Sequence, residues 1–161
     1  MTPEERTLAP LLRVATPADR PALEALEAAS FSQDRISARS WRRLLRRPSA
    51  LILVAPTAAG LAGALVMLFR RGSRIARVYS IAVAAAHRGS GFARLLLGRA
   101  ADTAQEHGCR AVRLETRLDN HSAQALFARE GFAVTGRTDD YYEDGMAALR
   151  LERPLPPAYS R

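Results

Sequence analysis

The residues most able to do chemistry lie in His87-Arg88-Gly89-Ser90-Gly91-Phe92-Ala93-Arg94, which follows an apolar run, Val78-Tyr79-Ser80-Ile81-Ala82-Val83. Gly89 and Gly91 let the backbone approach a ligand closely. If a helix begins here, its first N–H groups lack partners within it and can donate to phosphate oxygens, with help from the helix dipole. Together these features make a pyrophosphate cradle, although a glycine pair ahead of a helix is also an ordinary turn. The segment has neither the Lys-Ser/Thr ending of a P-loop nor the glycine spacing of a dinucleotide fingerprint.

A second candidate is Glu115, which alternates with Arg113 and Arg117 in a β-rich run. Taken alone, it reads as an exposed strand carboxylate paired with Arg113 or Arg117. A carboxylate beside a reactive cleft can also take a proton in general base catalysis. Cys109 is the sole cysteine, so it forms no internal disulfide; it reads as a small buried strand residue, and a reducing, cytoplasmic location is expected. His87, His107 and His121 are too scattered to suggest a metal site, and none is expected.

These residues need a scaffold, and the periodicity supplies one. Residues 11–15 read as a short strand; Thr16-Pro17-Ala18-Asp19 then has the form of a helix start, with Leu23, Leu26 and Ala29 on the apolar face. Ser37 opens a second helix with Trp41, Leu44 and Leu45 on one side and Arg42, Arg43, Arg46 and Arg47 on the rest, until Pro48 stops it. Residues 50–55, 61–69 and 75–83 are expected strands, joined by turns at 56–60 and 70–73. A helix over 91–108 places Phe92, Leu95, Leu96, Ala100 and Thr103 on one stripe. A strand at 111–116, a helix at 120–129 ended by Gly131, and strands at 132–136 and 146–151 complete the order βααβββαβαββ. The expectation is one domain over residues 1–153 and a proline-rich tail over 154–161.

Composition narrows the function classes. The chain has 161 residues, 48% hydrophobic and 25% charged, which suits a folded domain with a sizeable core, and the element order above makes its class α/β. No apolar run is long enough to span a bilayer, and residues 1–20 lack the apolar core of a signal peptide, so neither membrane insertion nor secretion is expected. The net charge is +8 and every basic side chain is arginine. Such a surplus favours anionic partners, whether a phosphate-rich cofactor, an acidic peptide or nucleic acid.

The segment Arg88-Gly89-Ser90-Gly91-Phe92-Ala93 resembles the Arg/Gln-x-x-Gly-x-Gly/Ala signature of the GCN5-related N-acetyltransferase (GNAT) superfamily. Leu114-Glu115-Thr116, Asn120-His121-Ser122-Ala123, Leu126-Phe127 and Glu130-Gly131-Phe132 resemble the second half of that superfamily in order and spacing. Tyr141-Tyr142-Glu143-Asp144-Gly145, followed by Ala148-Leu149-Arg150-Leu151, is similar to the end of its ribosomal-protein-alanine and peptide N-terminal acetyltransferase branch. The resemblance covers residues 55–151. It implies a mixed, mostly antiparallel central sheet with helices on both faces, splayed between the strands ending near Val83 and Thr116 to admit acetyl-CoA.

Roles follow by resemblance. Ile81, Ala82 and Val83 would offer backbone groups to the pantetheine arm, and Gly89, Ser90, Gly91, Phe92, Ala93 and Arg94 would hold the pyrophosphate with help from Arg88. Asn120 matches the family asparagine that contacts the cofactor, although a plain helix cap explains it equally well. Glu115 matches a catalytic glutamate of the branch. Where that branch often has a tyrosine as general acid, this chain has Phe127 on the cofactor side, and a phenyl ring donates no proton. The thiolate then leaves unaided, or Tyr141 or Tyr142 supplies a hydroxyl, or activity is weak; those tyrosines otherwise line the acceptor pocket with Phe31 and the loop around Asp34, or pack in the sheet.

The acceptor is bounded by acidity. An α-amine with pKa about 7.7–8 is about 3.4 kcal/mol easier to neutralise than a lysine at about 10.4, so a single carboxylate suits a protein or peptide N-terminus. A small polyamine, amino-sugar or antibiotic amine is the alternative acceptor. A third reading is a non-catalytic cofactor-sensing or nucleic-acid-binding module, motivated by Phe127 and by the arginines at 42–47 and 70–77. Few aromatic residues accompany those arginines, so nucleic acid is disfavoured. The oligomeric state, monomer or homodimer, stays open.

Overall fold

The computed structural model describes residues 12–157. The expected first strand began at Leu11 and the expected tail ran to Arg161, so those ends lie outside the described residues. The elements are β1 (Arg13–Val14), α1 (Arg20–Ser30), α2 (Ala38–Arg46), β2 (Ala50–Thr57), β3 (Gly60–Leu68), β4 (Ile75–Val83), α3 (Phe92–Glu106), β5 (Ala111–Arg117), α4 (His121–Arg129), β6 (Ala133–Thr138) and β7 (Ala148–Pro154). Their order is the one read from periodicity. The strands form one mixed sheet in the order β1-β2-β3-β4-β5-β7-β6.

The described residues cluster into two compact units: 12–68 with 80–100, and 69–79 with 101–157. In the first, β1, β2 and β3 form an antiparallel meander. Alternation along β2 and β3 sends Ile52, Val54, Ala64 and Val66 to one face, where they pack with Leu23 and Leu26 of α1 and Trp41 and Leu44 of α2. Each such fully buried side chain contributes roughly 1.5–3 kcal/mol. The opposite face meets α3: a Cβ added at Gly63 would stand 3.1 Å from Leu96 Cδ1 and 3.2 Å from the Ala82 carbonyl oxygen. Helices therefore cover both faces, as expected.

Thr16 begins a 3-10 turn, Pro17–Asp19, that runs into α1. The Asp19 carboxylate accepts from the Thr16 amide at 2.7 Å, the reciprocal half of a helix-capping arrangement. Ala29, expected on the apolar face, is exposed, and Glu27 is buried instead. Ser37 caps α2 by accepting from the Ser40 amide at 3.1 Å. Arg42, Arg43, Arg46 and Arg47 are exposed, as a solvated helix face should be.

In the second unit, β4 and β5 run parallel and pair from Ile75↔Ala111 to Val78↔Leu114, where the ladder ends. β5 also pairs antiparallel with β7, and β7 with β6. Val112, Leu114 and Thr116 are buried, whereas Arg113, Glu115 and Arg117 on the alternate face are half-buried. Cys109 is buried in the loop before β5 rather than in a strand. β7 extends through Pro154, the Leu155 amide donates to the Arg110 carbonyl at 2.9 Å, and Gln105 Nε2 donates to the Pro156 and Pro157 carbonyls. The first residues of the expected tail are thus held by the sheet and by α3.

Candidate active site

The phosphate-type turn belongs to the first unit. A 3-10 turn, Ala85–His87, leaves β4, and Gly89 and Gly91 take φ of 80° and 88°, values that L side chains rarely adopt. Nothing lies within 4 Å of a Cβ placed at Gly89, so backbone conformation rather than crowding is what calls for glycine there. The Leu95 amide, bonding to the Gly91 carbonyl at 3.0 Å, begins the helical ladder, so those of Phe92 and Ala93 precede it at the N-terminus. Phe92 itself is buried and meets the His87 ring edge-on at 5.6 Å, which anchors the helix start. Arg88 and Arg94 are exposed near this turn, and Ile81, Ala82 and Val83 are half-buried on β4. The arrangement fits the diphosphate of a coenzyme: two left-handed glycines, a fifteen-residue helix N-terminus and arginine charge.

Glu115 belongs to the second unit. Its side chain is 17% exposed, and its partners are Arg77 Nε, which donates to Oε2 at 2.9 Å, and Arg113, whose Nε lies 3.9 Å from Oε1. Arg113 Nε is buried with no hydrogen-bond partner. Arg77 also donates from Nη2 to the Tyr141 hydroxyl at 3.1 Å, and its guanidinium sits 5.6 Å from the Tyr79 ring centroid. Burial alone would weaken the Arg77 charge, but Glu115 and Tyr141 more than offset that and raise its pKa.

Arg117, the other sequence neighbour of Glu115, is engaged elsewhere. It pairs with Asp144 and, at 3.2 Å, with Asp119, and its guanidinium lies 5.0 Å from the Tyr142 ring centroid. The Arg117 bond and a Met146 amide bond hold the Asp144 carboxyl below its usual range. This pairing fastens the β6–β7 loop, in which Asp140 and Gly145 take φ of 54° and 87° and the Tyr141 and Tyr142 amides both donate to the Met146 carbonyl. The two tyrosine rings meet edge to face at 5.0 Å. Tyr141 is 43% exposed as a residue, and its hydroxyl accepts from Arg77.

The remaining sequence candidates have clear structural occupations. Asn120 Oδ1 accepts from the Ala123 amide at 3.1 Å as the N-cap of α4. Phe127 is buried against Phe132. Phe31 ends α1, and its carbonyl accepts from Arg35 Nε in a loop where Asp34 has φ of 57°. Two residues escaped the sequence reading. Arg77 was invisible because parallel strand register is not encoded locally, although it shares the parity of Tyr79 on one strand. Glu27 was hidden because its helix face looked amphipathic with Ala29 inside; burial raises its pKa to about 7, against the Ile36 amide and the Arg35 charge. Among the described residues, no group of three His, Cys, Asp or Glu side chains could hold a metal ion, and no helix is long and apolar enough to cross a membrane.

A model of the Acetyltransferase (GNAT) family matches residues 18–132. The chain belongs to that family. This GNAT chain is 41% identical over 70 residues to N-alpha-acetyltransferase MAK3 of Arabidopsis thaliana, covering 44% of the chain and 37% of that protein. It is 29% identical over 119 residues to a candidate ribosomal protein bS18-alanine N-acetyltransferase of Bacillus subtilis (strain 168), covering 74% and 78%. With streptothricin acetyltransferase of Streptomyces lavendulae it shares 33% identity over 100 residues, covering 60% and 53%. The matched segment thus spans little over a third of the Arabidopsis protein and about half of the Streptomyces one.

Among solved structures, the ribosomal-protein-S18-alanine N-acetyltransferase from Escherichia coli aligns with a TM-score of 0.81 over 93% of this chain and 96% of its own, at 22% identity, a likeness of fold. The NatC complex bound to Gag peptide and CoA aligns with a TM-score of 0.74 over 90% and 98%, at 25% identity. The expectation of an acetyl-CoA-dependent N-acetyltransferase acting on an amine agrees with this membership and these relatives, and so does the expected fold.

Proposed function

We propose that this GNAT protein moves an acetyl group from acetyl-CoA to the N-terminal α-amine of a protein or peptide. The observation that carries the reading is the partnership of one carboxylate, Glu115, with one hydroxyl, Tyr141, on a shared guanidinium. Acetyl transfer needs one group to take a proton and another to give one. A single half-buried carboxylate suits an amine that is easily neutralised, and the Arabidopsis relative is named for α-amine transfer.

In this scheme Ile81–Val83 and the Gly89–Arg94 turn hold the coenzyme substrate through backbone groups, and Arg88 and Arg94 add charge for its phosphates. Asn120 and Phe127 border that substrate as the family resemblance implies. The neutral amine attacks the acetyl carbonyl carbon; a C–N bond forms, the C–S bond breaks, and the electron pair leaves on sulfur. Glu115 takes the surplus amine proton directly or through water, and the Tyr141 hydroxyl gives a proton to the departing sulfur. Solvent returns the proton to Tyr141 and clears it from Glu115. Tyr142, beside Tyr141, lines the acceptor side. Cytoplasmic operation, where acetyl-CoA and free protein termini coexist, completes the reading.

The Streptomyces relative supports a second acceptor class, a small-molecule amine. One experiment separates the two: mass spectrometry of free-N-terminal peptides, N-blocked lysine peptides and small amines incubated with the protein and acetyl-CoA. Acetylation of free N-termini alone is the expected result. Modification confined to small amines overturns the N-terminal reading and keeps the chemistry.

A further inference from the structure

We propose that Arg77 is a positioning residue that holds Glu115 and Tyr141 as one working pair and keeps them from neutralising each other. The inference rests on the roles assigned above to those two side chains. Arg77 lies on β4 opposite Arg113 of β5 in the parallel register, and Glu115 is the next residue on the same face of β5. From there its Nε donates to Glu115 Oε2 at 2.9 Å and its Nη2 to the Tyr141 oxygen at 3.1 Å. Two donors of one planar, rigid group thus fix a strand residue and a residue of the β6–β7 loop.

The chemical need for such a group follows from hydrogen-bond inventory. A carboxylate only accepts, whereas a phenol both donates and accepts. Placed together without a donor between them, the Tyr141 hydroxyl would turn to the Glu115 carboxylate. Its hydrogen would then be spent on the very group meant to take the amine proton. Arg77 removes that outcome by donating to both oxygens. The Tyr141 hydrogen must then point away from the guanidinium, and Glu115 Oε1, which Arg113 Nε approaches only to 3.9 Å, beyond hydrogen-bond distance, can accept from an incoming N–H or a bridging water. Arginine stays protonated throughout, so Arg77 positions both groups without entering the proton transfers.

A purely structural salt bridge is the competing account, and exposure distinguishes the two. The Arg77 side chain is 35% exposed, and partly solvated ion pairs of this kind contribute little to stability. Removing it should therefore cost much catalysis and little folding. Arg77→Ala is expected to lower kcat about 100-fold while the KM for acetyl-CoA stays within about two-fold. Arg77→Lys, with one point charge in place of a fork, should recover only part of that loss. Millimolar guanidinium should restore part of the Arg77→Ala activity, and Tyr141→Phe in the Arg77→Ala background should cost almost nothing further. Unchanged kcat in Arg77→Ala, or fully additive losses with Tyr141→Phe, overturns the proposal.

The same variants are compared on whichever amine the protein acetylates, so a wrong acceptor class does not decide the matter. The contact has a readout free of activity as well. Midpoints of urea unfolding for Arg77→Ala, Tyr141→Phe and the double variant should be sub-additive if the two residues touch in solution. Additive midpoints overturn the proposal even if Glu115 and Tyr141 prove catalytic, whereas sub-additive midpoints with no kcat effect of Glu115→Gln reject the underlying assignment instead.

Discussion

Phe127 packs edge to face against Phe132, ring centroids 5.8 Å apart and planes at 66°, with only 5% of Phe127 exposed. The position where the resembled branch often carries an acidic hydroxyl is thus joined to the apolar packing of α4 on the turn that leads into β6. If Tyr141 supplies the proton, Phe127→Tyr should leave kcat within about two-fold, and Tyr141→Phe should lower it by about 10²-fold, within the usual range for a general acid. Steady-state kinetics of both variants decide this. A tenfold gain in Phe127→Tyr would move the acid to position 127.

Glu115→Gln keeps the size of the side chain and its acceptor oxygen toward Arg77 but abolishes proton acceptance. The expected result is a fall in kcat of about 10²- to 10⁴-fold with the KM for acetyl-CoA little changed. Equal losses in kcat/KM for both substrates with kcat intact would mark Glu115 as a binding group. Isothermal titration with CoA gives the affinity independently of turnover.

The element order was legible because the strands of the meander and the α3 stripe keep their periods: Phe92, Leu96 and Ala100 are buried, while Leu95 and Thr103 of the expected stripe are half-buried at its edge. The glycine turn was legible too, since left-handed φ at Gly89 and Gly91 leaves a chemical trace in the residue type itself. What resisted was register. Nothing near Arg77 announces that β4 will pair parallel with β5 and set its guanidinium beside Glu115, thirty-eight positions away in the chain. Sequence proximity pointed to Arg113 or Arg117 as a partner for Glu115; Arg113 does stand 3.9 Å away, whereas Arg117 goes to Asp119 and Asp144 and the nearer partner is Arg77. Ala29 and Glu27 exchanged places for a related reason: an alanine tolerates either face, so the helix phase was fixed by Leu23 and Leu26 and not by it.

Gly91 should be the costlier of the two turn glycines for coenzyme binding, because it immediately precedes the helix and its carbonyl starts the α3 ladder. Gly91→Ala forces a Cβ into φ of 88° at the N-terminus that would face a pyrophosphate. The expected outcome is a rise of about tenfold or more in the Kd for CoA, read by calorimetry, with secondary structure retained by circular dichroism. An unchanged Kd would take the pyrophosphate away from this turn.

Asp19 binds Arg13 through two bonds of 2.8 Å and the Thr16 amide at 2.7 Å, and the Arg13 bond is the main reason its pKa falls to about 2. The folded pKa lies below the unfolded value of about 3.9, so the associated stability is present in full above that value and is lost as pH falls through about 2. Since Arg13 is largely exposed, the contribution is put at about 1–2 kcal/mol rather than the full shift. Asp19→Asn should lose that amount at pH 7 and almost none near pH 2, as measured by urea unfolding at the two pH values.

Glu27 runs the other way. It lines a small cavity with Leu26, Trp41, Val66 and Ser80, where the Trp41 Nε1 hydrogen lacks a partner, and burial lifts its pKa to about 7. A carboxyl whose folded pKa exceeds its unfolded value of about 4.3 gives its full stabilisation below that value and loses it as pH rises to about 7, after which the cost is constant. The loss is of order 3 kcal/mol. Glu27→Gln removes the titration while keeping an acceptor for the Ile36 amide, so it should flatten stability between pH 4.5 and 7 and be the more stable protein at pH 8. Glu27→Leu removes the titration and the acceptor together, leaving the Ile36 amide unpaired, and should gain less than Glu27→Gln. Thermal unfolding across that pH range tests both. A wild-type curve already flat from pH 4.5 to 7 would show that the Glu27 carboxyl is solvated or paired in solution and that the cavity around it opens.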